Sequence, residues 1–294
     1  MNRPSSIIVS LTLLACATHQ AYALAPRTDA AVHTVIDGPA TAAALTWHYM
    51  DTRANCGSDS QPAFLCSGVV LRSTTYSNNF DAWDPSPSSI KKGGISFSYL
   101  RKDNNFKRFV YDRSNSHGFI FYPVFETPST KRRIQVLCQY PMDAGTDHRP
   151  QACGQFPGYP SSAPCHLQNI LTGEQWAKQF PPGTLGRRTC AFDVRDSRNR
   201  LAGPAFEAAL KAKSSRPEFF SEQNELVLDV WESGIGAQLP IQAFFYQNDA
   251  GRQLARLTKA RFLSKTGIDL PLIKITLAQT ASGTAKFEFI ASDQ

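Results

Sequence analysis

Beyond its first residues the chain has no long apolar run, so nothing from residue 24 onward is suited to span a bilayer. Metal and redox spacings are missing as well. No two cysteines are spaced Cys-x-x-Cys. His33, His48, His117, His148 and His166 form no His-Glu-x-x-His pattern, so no metal cofactor is expected. Gly234-Ile235-Gly236 hints at a dinucleotide loop, but Leu239 stands where the third glycine is needed, which argues against a Rossmann site. Ser67-Gly68 lacks the Gly-x-Ser-x-Gly elbow of an α/β-hydrolase. Asp147-His148 resembles an acid–base pair, but its surroundings read as surface loop. Concentrated charge is absent too. The formal net charge of +7 is scattered over short clusters such as Lys91-Lys92, Lys131-Arg132-Arg133 and Arg187-Arg188. A mildly basic chain favours anionic partners, but nucleic-acid binding has no specific support. There is no internal repeat.

What is present begins with an export signal. Arg3 precedes a short apolar stretch (Ile7, Ile8, Val9, Leu11, Leu13, Leu14), and Ala21-Tyr22-Ala23 is a small-x-small cleavage site. Residues 1–23 are therefore expected to be removed, leaving a secreted or periplasmic protein that begins at Leu24. Leu13-Leu14-Ala15-Cys16 resembles a lipobox, but leucine just before the alanine fits poorly, so lipidation ranks second. Removal of Cys16 leaves Cys56, Cys66, Cys138, Cys153, Cys165 and Cys190. An even set in an oxidising compartment predicts disulfides. Cys56 with Cys66 makes a short loop; the other four pair among themselves in an order the sequence leaves open.

Residues 24–294 read as one α+β domain, mostly antiparallel, with a few helices. A loose segment near 24–38 leads to a helix over Thr41–Arg53, with Ala43, Trp47 and Met50 as its apolar face. Strands are expected at Phe64–Arg72, Ile95–Leu100, Phe119–Phe125, Ile134–Tyr140, Leu226–Trp231 and Ile241–Tyr246. Ile273–Leu277 and Ala285–Ile290 read as a closing hairpin across Ala281-Ser282-Gly283. Helices are expected at Thr172–Phe180, Pro204–Lys213 and Arg252–Leu263. Proline and cysteine mark residues 141–190 as an irregular, disulfide-rich insertion.

Three segments carry the functional case. Val69-Val70-Leu71-Arg72 is a strand ending in an arginine, whose planar donor fork suits a diphosphate or carboxylate. Gly93-Gly94-Ile95-Ser96-Phe97-Ser98-Tyr99 places two hydroxyls on one strand face, with Phe97 and Tyr99 behind them or stacking on a ligand. Gln223-Asn224-Glu225 opens an apolar strand, with Gln223 and Glu225 pointing one way and Leu226, Leu228 and Val230 facing the core. A carboxylate on such a rigid edge can steady a developing positive charge. Each segment alone has a plainer explanation: a surface ion-pair arginine, a half-buried strand, an exposed turn glutamate.

Together, Arg72, Ser96-Phe97-Ser98 and Gln223-x-Glu225 resemble the arginine–serine–glutamate signature of the ADP-ribosyltransferases, the class that includes cholera and pertussis toxins. Ile95 and Phe97 depart from the aromatic and threonine usual at those positions. Pro62-Ala63-Phe64-Leu65-Cys66-Ser67-Gly68, Trp83-Asp84-Pro85-Ser86-Pro87 and Gly118-Phe119-Ile120-Phe121-Tyr122-Pro123 are similar to the halovibrins, secreted bacterial proteins associated with NAD hydrolysis. The resemblance implies an ADP-ribosyltransferase-like fold and NAD as substrate. It implies Glu225, Gln223 and Ser96 as catalytic residues, and Arg72, Ser98 and Phe97 as substrate-binding residues. Water as acceptor makes the chain an NAD glycohydrolase; a host protein or a nucleic-acid base makes it a transferase toxin. A non-catalytic protein that recognises a surface glycan is the alternative of a different class.

Overall fold

Helix α1 (Gly38–Met50) starts earlier than its periodicity indicates, because the Asp37 side chain accepts a hydrogen bond from the Ala40 N–H (2.9 Å) and Pro39 occupies the first turn. The computed structural model describes residues 34–58, 61–74, 81, 83, 94–109, 117–121, 135–145, 153–181, 188–193, 202–216, 219–220, 223–229 and 241–294. Residues 1–23, Asp147-His148 and Gly234-Ile235-Gly236 lie outside them, as do the expected strand ends at 122–125 and 230–231 and most of the loose segment before α1.

Among the described residues are four α-helices: α1 (Gly38–Met50), α2 (Gly173–Gln179), α3 (Ala202–Ser214) and α4 (Asp249–Thr266). The strands are β1 (Thr34–Val35), β2 (Val69–Ser73), β3 (Ile95–Leu100), β4 (His117–Phe121), β5 (Gln135–Tyr140), β6 (Phe192–Asp193), β7 (Glu225–Asp229), β8 (Ile241–Tyr246), β9 (Ile268–Asp269), β10 (Leu272–Thr276) and β11 (Lys286–Phe289). Nine of them form one sheet in the order β11-β10-β8-β4-β2-β3-β7-β5-β6, and β1 pairs separately with β9. Among the described strand pairings, only β8–β10 and β1–β9 are parallel. The fold is α+β and mostly antiparallel.

Two expectations are corrected. Ala43, Trp47 and Met50 are exposed; α1 buries Ala42, Leu45, His48 and Tyr49 instead. Apolar and small side chains occur all round this helix, so composition alone selects the wrong stripe. Phe64–Arg72 is not one strand either. Ala63–Leu65 forms a 3-10 turn, and the Cys56–Cys66 disulfide sits between that turn and β2.

The other disulfides are Cys138–Cys153 and Cys165–Cys190. Three disulfides are the mark of a protein that folds outside the reducing cytoplasm. No helix among the described residues is long and apolar enough to cross a membrane.

Alternation divides the sheet into two faces. One face carries Val70, Phe97, Tyr99, Phe119, Phe121, Leu226, Leu228 and Phe244, covered by α2, α3 and α4 through Trp176, Phe206 and Phe262. Trp83 closes this core edge-on against Phe262, with ring centroids 5.0 Å apart. The opposite face carries two separate apolar clusters. One gathers Leu71, Leu100, Ile120, Phe245 and Ile273 under α1; the other gathers Leu137, Cys138, Tyr140 and Val227 around the Cys138–Cys153 bridge. Ser96, Ser98 and Glu225 belong to this second face by alternation with Leu100 and Val227. They stand between its two clusters.

Candidate active site

The site is built where β2, β3 and β7 lie side by side in the sheet. Leu71 pairs with Ser98, Ser96 with Val227, and Phe97 with Leu226, all antiparallel. This register carries residues far apart in sequence to the same end of three neighbouring strands. Gly94, with φ of +99°, makes the approach possible. A Cβ at that position would lie 2.8 Å from Val227 Cγ1 and 2.9 Å from Leu137 Cδ1. Gly118 does the same for β2, since a Cβ there would stand 1.9 Å from the carbonyl oxygen of Arg72.

Glu225 is 1% exposed, and both of its carboxylate oxygens are held. Ser96 Oγ donates a short hydrogen bond to Oε1, and the Ala144 N–H donates to Oε2 at 3.3 Å. Two donors on two different oxygens fix the plane of the carboxylate. Arg72 is half-buried, and its Nη1 donates to the backbone carbonyl of Ser96 at 2.9 Å. The guanidinium therefore meets the main chain of the residue whose hydroxyl holds Glu225.

Gln223 is held by the segment that follows β5. Its Nε2 donates to Asp143 Oδ2 at 2.9 Å, and its backbone carbonyl accepts from the Asp143 N–H at 3.0 Å. Gln223 and Glu225 thus contact consecutive residues, Asp143 and Ala144, and so lie on one side of β7. Between them, Asn224 turns into the sheet. Its Oδ1 accepts from the Tyr99 N–H (2.8 Å) and its Nδ2 donates to the Tyr99 carbonyl (2.7 Å). The amide imitates one more rung of the β3–β7 ladder and fixes the register at the mouth of β7.

Ser98 shares the face of Ser96 but is only 3% exposed. Phe97 is corrected from its expected place against substrate. It is buried on the opposite face, packed on Phe121 at 4.5 Å and on Phe119 at 6.0 Å between ring centroids. It backs the strand. Asp143, Ala144 and Asn224 were missed by sequence reasoning. For Asn224, a buried-looking polar residue between two candidate site residues was a usable signal; for the other two there was none.

A second polar group lies across the sheet. Arg101, fully buried, pairs with Glu207 on α3 (2.8 Å) and with Asp103. One guanidinium faces two carboxylates here, and burial pushes Glu207 up to about 7 despite the attraction of Arg101. A cavity of about 200 Å3 adjoins Glu207, lined by Pro62, Pro204, Ala208 and Lys211. Among the described residues no cluster of three or more His, Cys, Asp or Glu side chains could hold a metal ion. Compared with protein-family models the sequence matches none, and it matches no curated protein.

Proposed function

We propose that the protein is a secreted enzyme of ADP-ribosyltransferase-like fold that cleaves the nicotinamide–ribose bond of NAD and passes the ADP-ribose to water. The observation that carries this reading is the Glu225 carboxylate, clamped by the Ser96 hydroxyl and the Ala144 N–H, with the Arg72 guanidinium held on the Ser96 main-chain carbonyl. The resemblance to halovibrins supplies NAD and the choice of water.

Cleavage of this bond passes through an oxocarbenium-like state, as in glycoside hydrolysis. The C–N bond breaks and its electron pair leaves with nicotinamide. Positive charge then grows on the ribose. Glu225 accepts a hydrogen bond from the ribose 2′-hydroxyl and steadies that charge from a position already set by its two donors, so little reorganisation is needed. Arg72 holds the diphosphate, and Ser98 extends the polar strip along β3. A water oxygen bonds to the anomeric carbon and its proton passes to solvent, giving ADP-ribose, nicotinamide and one proton.

The test is to incubate purified mature protein with NAD and to measure free nicotinamide and ADP-ribose. Stoichiometric release of both is expected. A well-folded protein that releases neither would overturn the reading. ADP-ribose transferred to a protein or nucleic acid in place of free ADP-ribose would move the assignment from hydrolase to transferase.

A further inference from the structure

Asp143 is an acidic residue in the disulfide-rich insertion, only 8% exposed, with both carboxylate oxygens in use. Oδ1 accepts from the Gly145 N–H and Oδ2 from the Gln223 amide, each at 2.9 Å. A carboxylate only accepts hydrogen bonds, so the Gln223 side chain has to turn its NH2 group toward Asp143. The other end of the amide follows from that. Gln223 Oε1 is buried and has no hydrogen-bond partner among the described residues, in a side chain 9% exposed. Buried acceptors are paired in the great majority of cases, so this orphan, two residues from Glu225, calls for an explanation, and a docking ligand group supplies one.

From this arrangement we infer that Asp143 is a positioning residue that fixes the polarity of the Gln223 amide, so that Gln223 offers the incoming nucleophile a carbonyl oxygen rather than an N–H. The inference rests on the NAD-cleaving reading above and deepens it by naming what selects the acceptor. A nucleophile with an O–H or N–H hydrogen is held by Gln223 Oε1, with its lone pair free for the anomeric carbon. One without such a hydrogen meets two acceptors, Oε1 and the Glu225 carboxylate, and is turned away. Water fits this requirement. The same segment holds both partners, since Asp143 grips Gln223 and Ala144 grips Glu225. It lies in the loop closed by Cys138–Cys153.

An amide swap tests the inference. Asp143→Asn presents an NH2 group to Gln223, which lets the glutamine turn over and show its own NH2 to the nucleophile. For nicotinamide release we expect kcat to fall by about 10²-fold, the order seen when a positioned group is misplaced, with the KM for NAD nearly unchanged. In Asp143→Asn combined with Gln223→Glu, the introduced amide donates to one oxygen of the introduced carboxylate, and the other oxygen is again an acceptor. This double variant should regain about tenfold over the single one. Asp143→Asn turning over at the wild-type kcat overturns the inference alone. Loss through KM alone, or a double variant no better than the single at matched thermal stability, overturns it too. No release by the wild type overturns both the inference and the reading beneath it. If Asp143→Asn is poorly folded, the double variant compared with Gln223→Glu carries the same test.

Discussion

At the β11–β10–β8 end of the sheet, cohesion comes from apolar side chains and from cations paired with carboxylates. Ile273, Ile275, Phe245 and Phe287 pack under α1, while Arg252 holds Asp293 at 2.8 Å and Lys259 pairs with Asp269. At the β3–β7–β5–β6 end, buried polar groups take up part of the space. Ser96 meets Glu225, Asn224 meets the Tyr99 backbone, Gln223 meets Asp143, and the Cys138–Cys153 bridge closes the loop beside them. Apolar burial is non-directional, so the first end can lose or change a side chain and keep its geometry. Hydrogen-bonded polar groups tolerate little displacement, and each one buried without a partner destabilises the fold. The second end exchanges stability for fixed geometry, and the covalent bridge offsets part of that cost.

The sharpest way to break this contrast is to remove the group that the second end exists to hold. Glu225→Ala should lower kcat for nicotinamide release by about 10³-fold or more, the scale of losing a preorganised electrostatic stabiliser, while circular dichroism shows the fold retained. Activity within about tenfold of wild type would mean that another carboxylate stabilises the charge. At the first end, Ile273→Ala removes a fully buried side chain of β10 and should lower unfolding free energy by about 2–5 kcal/mol. Its kcat should not change, as measured by urea denaturation alongside the nicotinamide assay. Replacing Cys138 and Cys153 together by alanine should lower unfolding free energy by about 3 kcal/mol, as for a loop of this length. Here kcat should fall as well, because Asp143 and Ala144 lie within the released loop. A large drop in stability at unchanged kcat would show that the bridge serves the fold and not the site.

The smallest effect belongs to Glu207, on the far side of the sheet. Its folded value of about 7 lies above its ordinary 4.5, so between those values the folded state binds a proton that the unfolded state has lost. Stability from this group is fully present below about pH 4.5 and is lost as pH rises through about 7. Glu207→Gln should flatten that part of the stability profile, measured as denaturation midpoints from about pH 4.5 to about 8, and leave the pH dependence of kcat untouched. A shifted kcat profile would couple the two faces of the sheet.

Much of this contrast could be read before any coordinates. Ile95–Tyr99 alternates, so its two faces follow from residue order. The capping box at Thr172 and Gln175 marks the start of α2 in the same way. Helix α1 was harder. Its start depends on Asp37 and Pro39, and its buried side on which neighbours arrive from β11 and β10. The candidate site was legible where strand periodicity governs it, in the shared face of Ser96 and Glu225. It was illegible where loops govern it. Asp143 lies in irregular chain, 80 residues from the glutamine it holds, and no local pattern encodes such a contact.

The pairing of β1 with β9 has a consequence for how the chain reaches its final form. Thr34 and Val35 find their parallel partners only at Ile268 and Asp269, and Ser96 finds Glu225 across 129 positions. Contacts this distant form slowly, because a long span of polypeptide has to be confined before any of them is gained. Synthesis from one end cannot complete the β-structure stepwise. The central strand β3 gains β2 early but its other neighbour, β7, only when the segment from Glu225 onward has been made.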